Sequence, residues 1–201
     1  MEVIKLKNIC KSFNSKMILD NVNFSFSSGN FYVLSGESGC GKTTLLNIIA
    51  DYTKADFGEV LSNSQIEYLF QDDMLFSNLT VEENLKIRLY AKNSEYENLE
   101  ADIKTALKKF KIEHLLNQKA AFLSGGERQR VELAGITLSN PDIILMDEPT
   151  AKLDKDNKLN ILSAITETFE GKTLISVTHE PELFPDKFIK LRLEGGRLIY
   201  E

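Results

Sequence analysis

The run Gly36-Glu-Ser-Gly-Cys-Gly-Lys-Thr43 constrains this chain more than any other feature, because it fits the pattern G-x-x-x-x-G-K-[ST]. It follows an apolar stretch, Phe31–Leu34, that predicts a buried strand, and it precedes Thr43–Ala50, which predicts a helix. Glycines in such a loop let backbone N–H groups point at polyphosphate oxygens, and the start of the helix adds positive potential. A chance glycine turn is the alternative, which this strand-loop-helix setting disfavours. The pattern predicts a nucleotide-binding α/β domain.

We expect the loop to hold the phosphates of a nucleotide along its length. The residues concerned are Gly36, Glu37, Ser38, Gly39, Cys40, Gly41, Lys42, Thr43 and Thr44. In this pattern the lysine reaches the β- and γ-phosphates, which is the role expected of Lys42. The hydroxyl of Thr43 is expected to bind Mg²⁺.

Two acids end a second apolar stretch. Ile143–Met146 predicts a strand buried on both faces, and Asp147 and Glu148 follow it. Such a strand delivers its carboxylates to the sheet edge where α/β proteins bind ligands. We expect Asp147 to hold Mg²⁺ through water and Glu148 to polarise an attacking water. A solvated strand end is the alternative, and the phosphate loop elsewhere in the chain disfavours it.

The remaining pattern divides the chain into a core and an insertion. Residues 3–35 alternate as β-structure, whereas residues 80–138 are mainly helical, with an amphipathic pattern that begins near Tyr96. Strand patterns return at 143–146 and 173–177, separated by a helical stretch at 156–169, and a hairpin turning at Gly195-Gly196 is expected at the end. We therefore expect a single domain over residues 1–201, with an α/β core (1–71 and 141–201) and a helical insertion at about 72–140.

Composition excludes several classes of protein. Asp and Glu number 30 against 24 Lys and Arg, and the resulting net charge of −6 argues against a general nucleic-acid binder. Cys10 and Cys40 lie far apart without a neighbouring histidine cluster, which argues against a disulfide framework or a zinc site and fits a reducing compartment. No apolar run approaches the length needed to span a bilayer, and the first residues do not resemble a signal peptide.

A second glycine-containing loop opens the helix predicted around Gly126–Leu138, which should stop at Asn140-Pro141. The loop reads Leu123-Ser-Gly-Gly-Glu-Arg-Gln129. Ser124 is a suitable N-cap, and Glu127 follows at capping-box spacing. Local physics alone favours a well-capped helix here.

The same residues resemble the signature motif of the ATP-binding cassette (ABC) ATPases, and the resemblance extends over nearly the whole chain. The other motifs of that family are matched in its order: the A-loop aromatic residue by Phe13, Walker A by Gly36–Thr43, the Q-loop glutamine by Gln71, Walker B by Ile143–Glu148, the D-loop aspartate by Asp154 and the switch histidine by His179.

The resemblance implies a P-loop NTPase fold, with a RecA-like mixed sheet, an N-terminal antiparallel β subdomain and an inserted helical subdomain. It also implies an ATPase with catalytic roles for Glu148, His179, Gln71 and Lys42. Mg²⁺ would be held by Thr43, Gln71 and Asp147, and Phe13 would stack on adenine. Plainer roles remain for three of these side chains: Gln71 as a surface residue, His179 as a structural histidine and Phe13 as part of the core.

The resemblance further implies partners. Two cassettes would face head to tail, so that Ser124, Gly125, Gly126 and Glu127 of one chain act on ATP held by the other. ATP hydrolysis would drive a membrane permease on a separate chain, and the protein would then lie at the cytoplasmic face of the cell membrane. The stretch Met74–Phe76 would help form the groove for a permease helix, with ordinary core as the alternative. No nucleic-acid partner is expected.

The chain departs from the family pattern at several positions, and two rival functions remain. The usual Ser-Ala-Leu-Asp of the D-loop is Ala151-Lys152-Leu153-Asp154 here, and the arginine usual in the helix after the signature is replaced by Gly135. The type of cassette looks most like those serving macrolide, lipoprotein or bacteriocin export. The rivals are a cassette ATPase that works without a permease, on ribosomes or DNA, and a nucleotide-binding module that does not hydrolyse.

Overall fold

The computed structural model of the chain describes residues 1–90 and 98–201, so Tyr96 of the predicted helical pattern lies outside the described residues. The strands are β1 (Glu2–Phe13), β2 (Lys16–Ser27), β3 (Phe31–Ser35), β4 (Phe57–Leu61), β5 (Ile66–Leu69), β6 (Ile143–Asp147), β7 (Thr173–Val177), β8 (Phe188–Glu194) and β9 (Arg197–Tyr200). The α-helices are α1 (Lys42–Ile49), α2 (Val81–Tyr90), α3 (Leu99–Lys109), α4 (Gly125–Ser139) and α5 (Lys155–Thr168), with short 3₁₀ turns at Glu113–Leu115, Ala120–Phe122 and Pro181–Leu183.

The first sheet is antiparallel, with the order β2-β1-β4. In β1 the side chains of Ile4 and Leu6 are buried and that of Lys5 is exposed, which confirms the predicted strand with one wet face. Strand β4 was not expected from the sequence. Nearly all of its residues are exposed, so it carries no alternation of buried and polar positions that could have revealed it.

The second sheet has the order β5-β6-β7-β3-β8-β9 and places the candidate site. Its central pairs, β6 with β7, β7 with β3 and β3 with β8, are parallel. Strands β3, β6 and β7 are buried at every position, as expected for the interior of a parallel sheet. Because parallel strands end at the same edge, the residues that follow these three strands meet there.

The chain end forms the predicted hairpin. Strands β8 and β9 pair antiparallel, and Gly195 and Gly196 turn the chain with positive φ angles of 55° and 77°. Together, the mixed sheet and the separate antiparallel sheet confirm the predicted fold class of an α/β core with an N-terminal β subdomain.

The chain divides into two compact units. The sheet unit comprises 1–68, 141–149 and 170–201, and the helical unit comprises 69–140 and 150–169. The segment 150–169, which holds α5, therefore groups with the helices by compactness, because α5 packs on α4. The predicted division into a core of residues 1–71 and 141–201 with a helical insertion at about 72–140 stays a prediction.

Helix α4 is the centre of the helical unit, where it contacts α2, α3 and α5. Its start and stop follow the sequence signals: Ser124 caps the N-terminus, and Asn140 ends the helix in the left-handed conformation (φ 44°) immediately before Pro141. Among the described residues, no helix is long and apolar enough to cross a membrane.

Candidate functional site

The phosphate loop joins β3 to α1 in the sheet unit. Lys42 is buried, and its Nζ donates hydrogen bonds to the carbonyl oxygens of Gly36 (2.9 Å) and Glu37 (3.1 Å), so the ammonium group lies across the loop. Gly41 has φ 110°, and a Cβ there would lie 2.5 Å from Cγ2 of Ile18, so this position requires glycine. The loop is thus held in a narrow curve with a cation on its inner side.

The N-terminus of α1 is open to an anion. Side chains cap α3, α4 and α5, but no side chain accepts a hydrogen bond at the start of α1. The first amides of a helix have no acceptor within the helix and carry positive potential. Because the glycine-rich loop leads directly into this end, the arrangement fits a bound phosphate group.

A hydroxyl and a carboxylate meet beside the loop. Thr43 Oγ1 donates to Asp147 Oδ1 at 3.1 Å, joining the start of α1 to the end of β6. Burial raises the pKa of Asp147, and the hydrogen bonds from Thr43 and Tyr68 and the charge of Lys42 oppose that rise. Hydroxyl and carboxylate oxygens are ligands that Mg²⁺ prefers, so this pair fits the metal that an ATP site requires.

Glu148 and His179 form a second pair at the same sheet edge. His179 Nε2 lies 3.4 Å from Glu148 Oε1, and the His179 amide donates to Oε2 at 3.4 Å. Burial raises the pKa of Glu148, and the charge of His179 opposes that effect. Glu148 has a φ of 50°, which is an uncommon backbone conformation for residues other than glycine. Backbone strain of this kind is concentrated at functional sites. The pair is suited to orient a water molecule and to hold its proton.

Replacing the buried Asp147 by asparagine should stabilise the protein. Because burial raises the carboxyl pKa, the folded chain holds this proton more tightly than the unfolded chain, and stability falls as pH rises through the interval between the two pKa values. Asp147→Asn keeps an acceptor for Thr43 without the charge. We expect a gain of about 1 kcal/mol near neutral pH, or a few degrees in Tm.

Thermal unfolding without nucleotide or Mg²⁺ at a series of pH values tests this expectation. The difference from the wild-type chain should grow with rising pH and vanish in acid. Asp186→Asn, at an exposed position of the same unit, serves as the control and should show no such trend. A stability gain for Asp147→Asn that does not change with pH would contradict the proposed cause.

Tyr68 belongs to this site, although the sequence did not single it out. It is buried in β5, and its hydroxyl donates to Asp147 Oδ2 at 3.5 Å. Burial and the neighbouring Asp147 charge raise the pKa of Tyr68, so it remains a neutral donor. In the sequence, Tyr68 is marked only as an aromatic residue three positions before Gln71.

Phe13 ends β1, the residue is 49% exposed, and Lys11 Nζ lies 5.4 Å from the ring centroid. Because about half of the residue is exposed, the alternative of a buried core residue is wrong. Stacking on adenine stays a prediction.

In the helical unit, the loop before α4 has the predicted capping box. The Ser124 amide and hydroxyl both donate to Glu127 Oε2 at 2.8 Å, and Ser124 Oγ accepts from the Glu127 amide at 3.4 Å. These bonds lower the pKa of Glu127. Ser124 and Gly125 are exposed at the tip of the loop.

The D-loop residues lie against this tip. A Cβ on Gly125 would be 3.8 Å from the Lys152 carbonyl oxygen, and one on Gly126 would be 3.2 Å from Leu153 Cδ2. Asp154 caps α5 by accepting from the Asn157 amide at 3.0 Å. Asp154 therefore has a structural role within its own chain, and its predicted D-loop role stays a prediction.

The structure brings together part of the predicted site. In the sheet unit it gathers the phosphate loop with Asp147, Glu148 and His179 at one edge. In the helical unit it gathers the loop at Ser124–Glu127 with the D-loop. Gln71, exposed after β5, belongs to the helical unit, and its predicted roles toward metal and water stay predictions.

Comparison with known proteins gives a consistent result. A family model described as ABC transporter matches residues 19–151. The chain is 34% identical to the spermidine/putrescine import ATP-binding protein PotA of Spiroplasma citri, over 90% of the chain and 55% of that protein. It is likewise 34% identical to the Fe(3+) ions import ATP-binding protein FbpC of Fusobacterium nucleatum, over 89% of the chain and 52% of that protein. The chain thus spans about half the length of these relatives.

Solved structures resemble the chain over nearly its whole length. The dimeric post-hydrolysis state of the ATP-binding cassette MJ0796, bound to ADP and Pi, is 30% identical with a TM-score of 0.84, covering 98% of both chains. A nucleotide-free ATP-binding cassette from an ABC transporter is 28% identical with a TM-score of 0.85, covering 99% of this chain and 90% of that one.

Proposed function

The chain belongs to the ABC transporter family of ATP-binding domains, and from this premise we propose that it binds and hydrolyses ATP with Mg²⁺ to power a transporter. One observation carries the proposal: the phosphate loop, a hydroxyl–carboxylate pair and a carboxylate–imidazole pair converge at one sheet edge. Lys42 and the amides of the loop and α1 bind the phosphates. Thr43 and Asp147 would hold the metal, which when bound would neutralise charge on the phosphates.

The remaining catalytic roles follow from chemistry and family position. Glu148 orients the attacking water and accepts its proton, and His179 contacts the γ-phosphate. Gln71 would serve as a ligand of the metal and contact the attacking water. The raised pKa of Glu148 supports a proton-accepting role, because burial makes the carboxylate a stronger base. The presence of both Glu148 and His179 disfavours a module that binds nucleotide without hydrolysis.

We further propose a second cassette as partner, identical in the isolated protein. The dimeric cassette bound to ADP and Pi supports this proposal. In the closed pair, the loop at Ser124–Glu127 of one chain would contact the γ-phosphate on the other. The exposure of Ser124 and Gly125 agrees with such a contact.

The other proposed partner is a membrane permease on a separate chain, which places the protein at the cytoplasmic face of the membrane. The helical unit has a groove with a cavity of about 120 Å³ to receive it. Met74 and Phe76, which are 66% and 57% exposed, and Ile87, which is 41% exposed, form its apolar rim. These exposed side chains disfavour the alternative of an ordinary core. They also favour a permease partner over the rival that works on ribosomes or DNA.

The direction of transport is the point on which the relatives and the sequence pattern differ. The compared relatives PotA and FbpC are named as import proteins. The resemblance to macrolide, lipoprotein or bacteriocin exporters has no support from these names and stays a prediction. Transport of a radiolabelled polyamine or iron into vesicles holding the complete transporter would decide in favour of import.

A charge placed in the groove should separate the chain from its permease. We expect Phe76→Asp to reduce recovery of a multi-span protein with the tagged chain by about tenfold, because an interface anchor becomes a desolvated charge. ATP affinity should stay unchanged. Leu159→Asp, at a position on α5 that is 47% exposed, is the matched control. Mass spectrometry of detergent-solubilised native membranes gives the measurement. Equal recovery with both variants would contradict docking at this groove.

A further inference from the structure

The residues that follow Gln71, the segment Asp72–Phe76, are anchored at four points by side chains of the helical unit. The four contacts are Lys152 Nζ with Asp72 Oδ1 at 2.6 Å, Arg128 with Asp73 through two bonds of 2.9 and 2.8 Å, Glu132 Oε1 with the Met74 amide at 2.7 Å, and Asn84 Oδ1 with the Phe76 amide at 2.7 Å. Two of these side chains, Arg128 and Glu132, belong to α4. The first turn of that helix carries the signature glycines.

Glu132 is the unusual member of this set. It is a carboxyl group with 5% exposure on the central helix of the unit. Burial raises its pKa, and the hydrogen bond from Met74 opposes that rise. A buried carboxylate is destabilising unless hydrogen bonds and opposite charges compensate for it. Neither the phosphate loop nor the signature loop uses Glu132, so its presence calls for another role.

Arg88 provides part of the compensation, from a place that Gly135 leaves open. A Cβ on Gly135 would lie 3.0 Å from Arg88 Cδ and 3.2 Å from Leu85 Cδ2. The lack of a side chain at 135 therefore lets Arg88 of α2 lie directly on α4. The charge of Arg88 lowers the pKa of Glu132 against the effect of burial. The glycine that departs from the family pattern and the buried glutamate thus form one arrangement.

We propose that Glu132 is a positioning residue that fixes the backbone next to Gln71 to the signature helix α4. It does so by accepting the Met74 amide hydrogen bond while Arg88 lies over Gly135. The inference rests on the proposed ATPase function. Met74 also forms part of the rim of the groove. A partner that displaces Met74 would therefore shift α4 through the Met74–Glu132 hydrogen bond, and with α4 the loop at Ser124–Gly126. Glu132 acts on the γ-phosphate only through α4, and not by contact.

An isosteric pair of variants tests the proposal. Glu132→Gln keeps an acceptor for the Met74 amide, whereas Glu132→Met keeps the length and removes the acceptor. We expect Glu132→Met to lower kcat for ATP by about tenfold, with nucleotide affinity unchanged, and Glu132→Gln to stay within about twofold of wild type. Glu167→Gln on α5 is the control for a glutamate of the same unit outside this contact.

Hydrogen exchange supplies a readout that does not depend on hydrolysis. In Glu132→Met the Met74 amide should exchange at least about tenfold faster, while the Phe76 amide, held by Asn84, should change little. Unaltered Met74 exchange, or equal loss of kcat in Glu132→Gln and Glu132→Met, would overturn the proposal. So would faster Met74 exchange with unchanged kcat. If the wild-type chain does not hydrolyse ATP, the proposed function fails, and the exchange result still decides whether Glu132 holds the segment.

Discussion

Glu148→Gln should lower the ATP turnover of this chain by about 10² to 10⁴-fold while leaving ATP binding intact. In the proposed mechanism the Glu148 carboxylate orients water and accepts its proton, whereas Lys42, Thr43 and Asp147, which lie at the same sheet edge, would hold nucleotide and metal. Glutamine has the same length, so it fits the positive-φ backbone at this position as glutamate does. It cannot accept a proton, so the ATP-bound pair of chains should accumulate.

Single-turnover kinetics and size-exclusion chromatography with ATP and Mg²⁺ measure the two effects together. Glu182→Gln, at an exposed position of the same unit, is the matched control and should keep full turnover. Because burial raises the Glu148 pKa, wild-type turnover should fall as the pH drops through that raised value. The residual activity of Glu148→Gln should not show this decrease at low pH. Unchanged turnover in Glu148→Gln would exclude Glu148 as the base.

Mixing two inactive variants should restore activity, and this is the second large effect. Lys42→Ala damages the phosphate loop, and Ser124→Arg blocks the signature loop. If each ATP is held by both chains, a mixed pair has one site with both damaged and one with both intact. Equal amounts should recover about a quarter of the wild-type rate per chain, because half of the pairs are mixed and each has one working site.

The capping box demands one further control. Ser124 stabilises the start of α4, so Ser124→Arg removes a cap worth about 1 kcal/mol as well as any contact in trans. Ser124→Asp keeps a side-chain oxygen for the Glu127 amide, but it loses the hydroxyl bond to Glu127 Oε2 and places a negative charge toward the phosphate. We expect Ser124→Asp to be inactive and to retain only part of the stability that the cap provides.

Two measurements complete the mixing experiment. ATP binding by the Ser124→Arg monomer should be nearly normal, because Ser124 is proposed to contact the ATP of the other chain. Pairing should need ATP and Mg²⁺, because each chain carries a net charge of −6. Lack of recovery in demonstrated mixed pairs would contradict independent composite sites. Full activity of Ser124→Arg alone would exclude the signature loop from catalysis.

Much of the site could be predicted because its residues follow strands. The phosphate loop, Asp147 with Glu148, and His179 each come just after an apolar run, and those runs became β3, β6 and β7. A parallel sheet brings the ends of its strands to one edge, so strand prediction was enough to place these groups together. The start and end of α4 could also be predicted, because each depends on residues within about one turn of that end of the helix: Ser124 and Glu127 at the start and Asn140 at the end.

Other features depended on contacts between distant parts of the chain. Strand β4 is exposed on nearly all its residues and exists because β1 offers it an edge to pair with. The hydrogen bond of Tyr68 to Asp147 needs β5 to lie beside β6. Neither the β4 strand nor the Tyr68–Asp147 hydrogen bond could be predicted from periodicity, because sequence periodicity shows only which face of an element is buried.

The sequence by itself therefore determined the groups that carry the proposed chemistry: the glycine-rich loop, the acids at the sheet edge and the capped loop of the signature. These are set by residue type and by spacing along one element. Only the tertiary structure shows the surroundings of Glu132, because Met74 and Arg88 lie far from it in the sequence. The segment after Gln71 brings the Met74 amide to Glu132, and the packing of α2 on α4 brings Arg88 near it. A buried carboxylate takes its role from its neighbours, and those neighbours are chosen by packing.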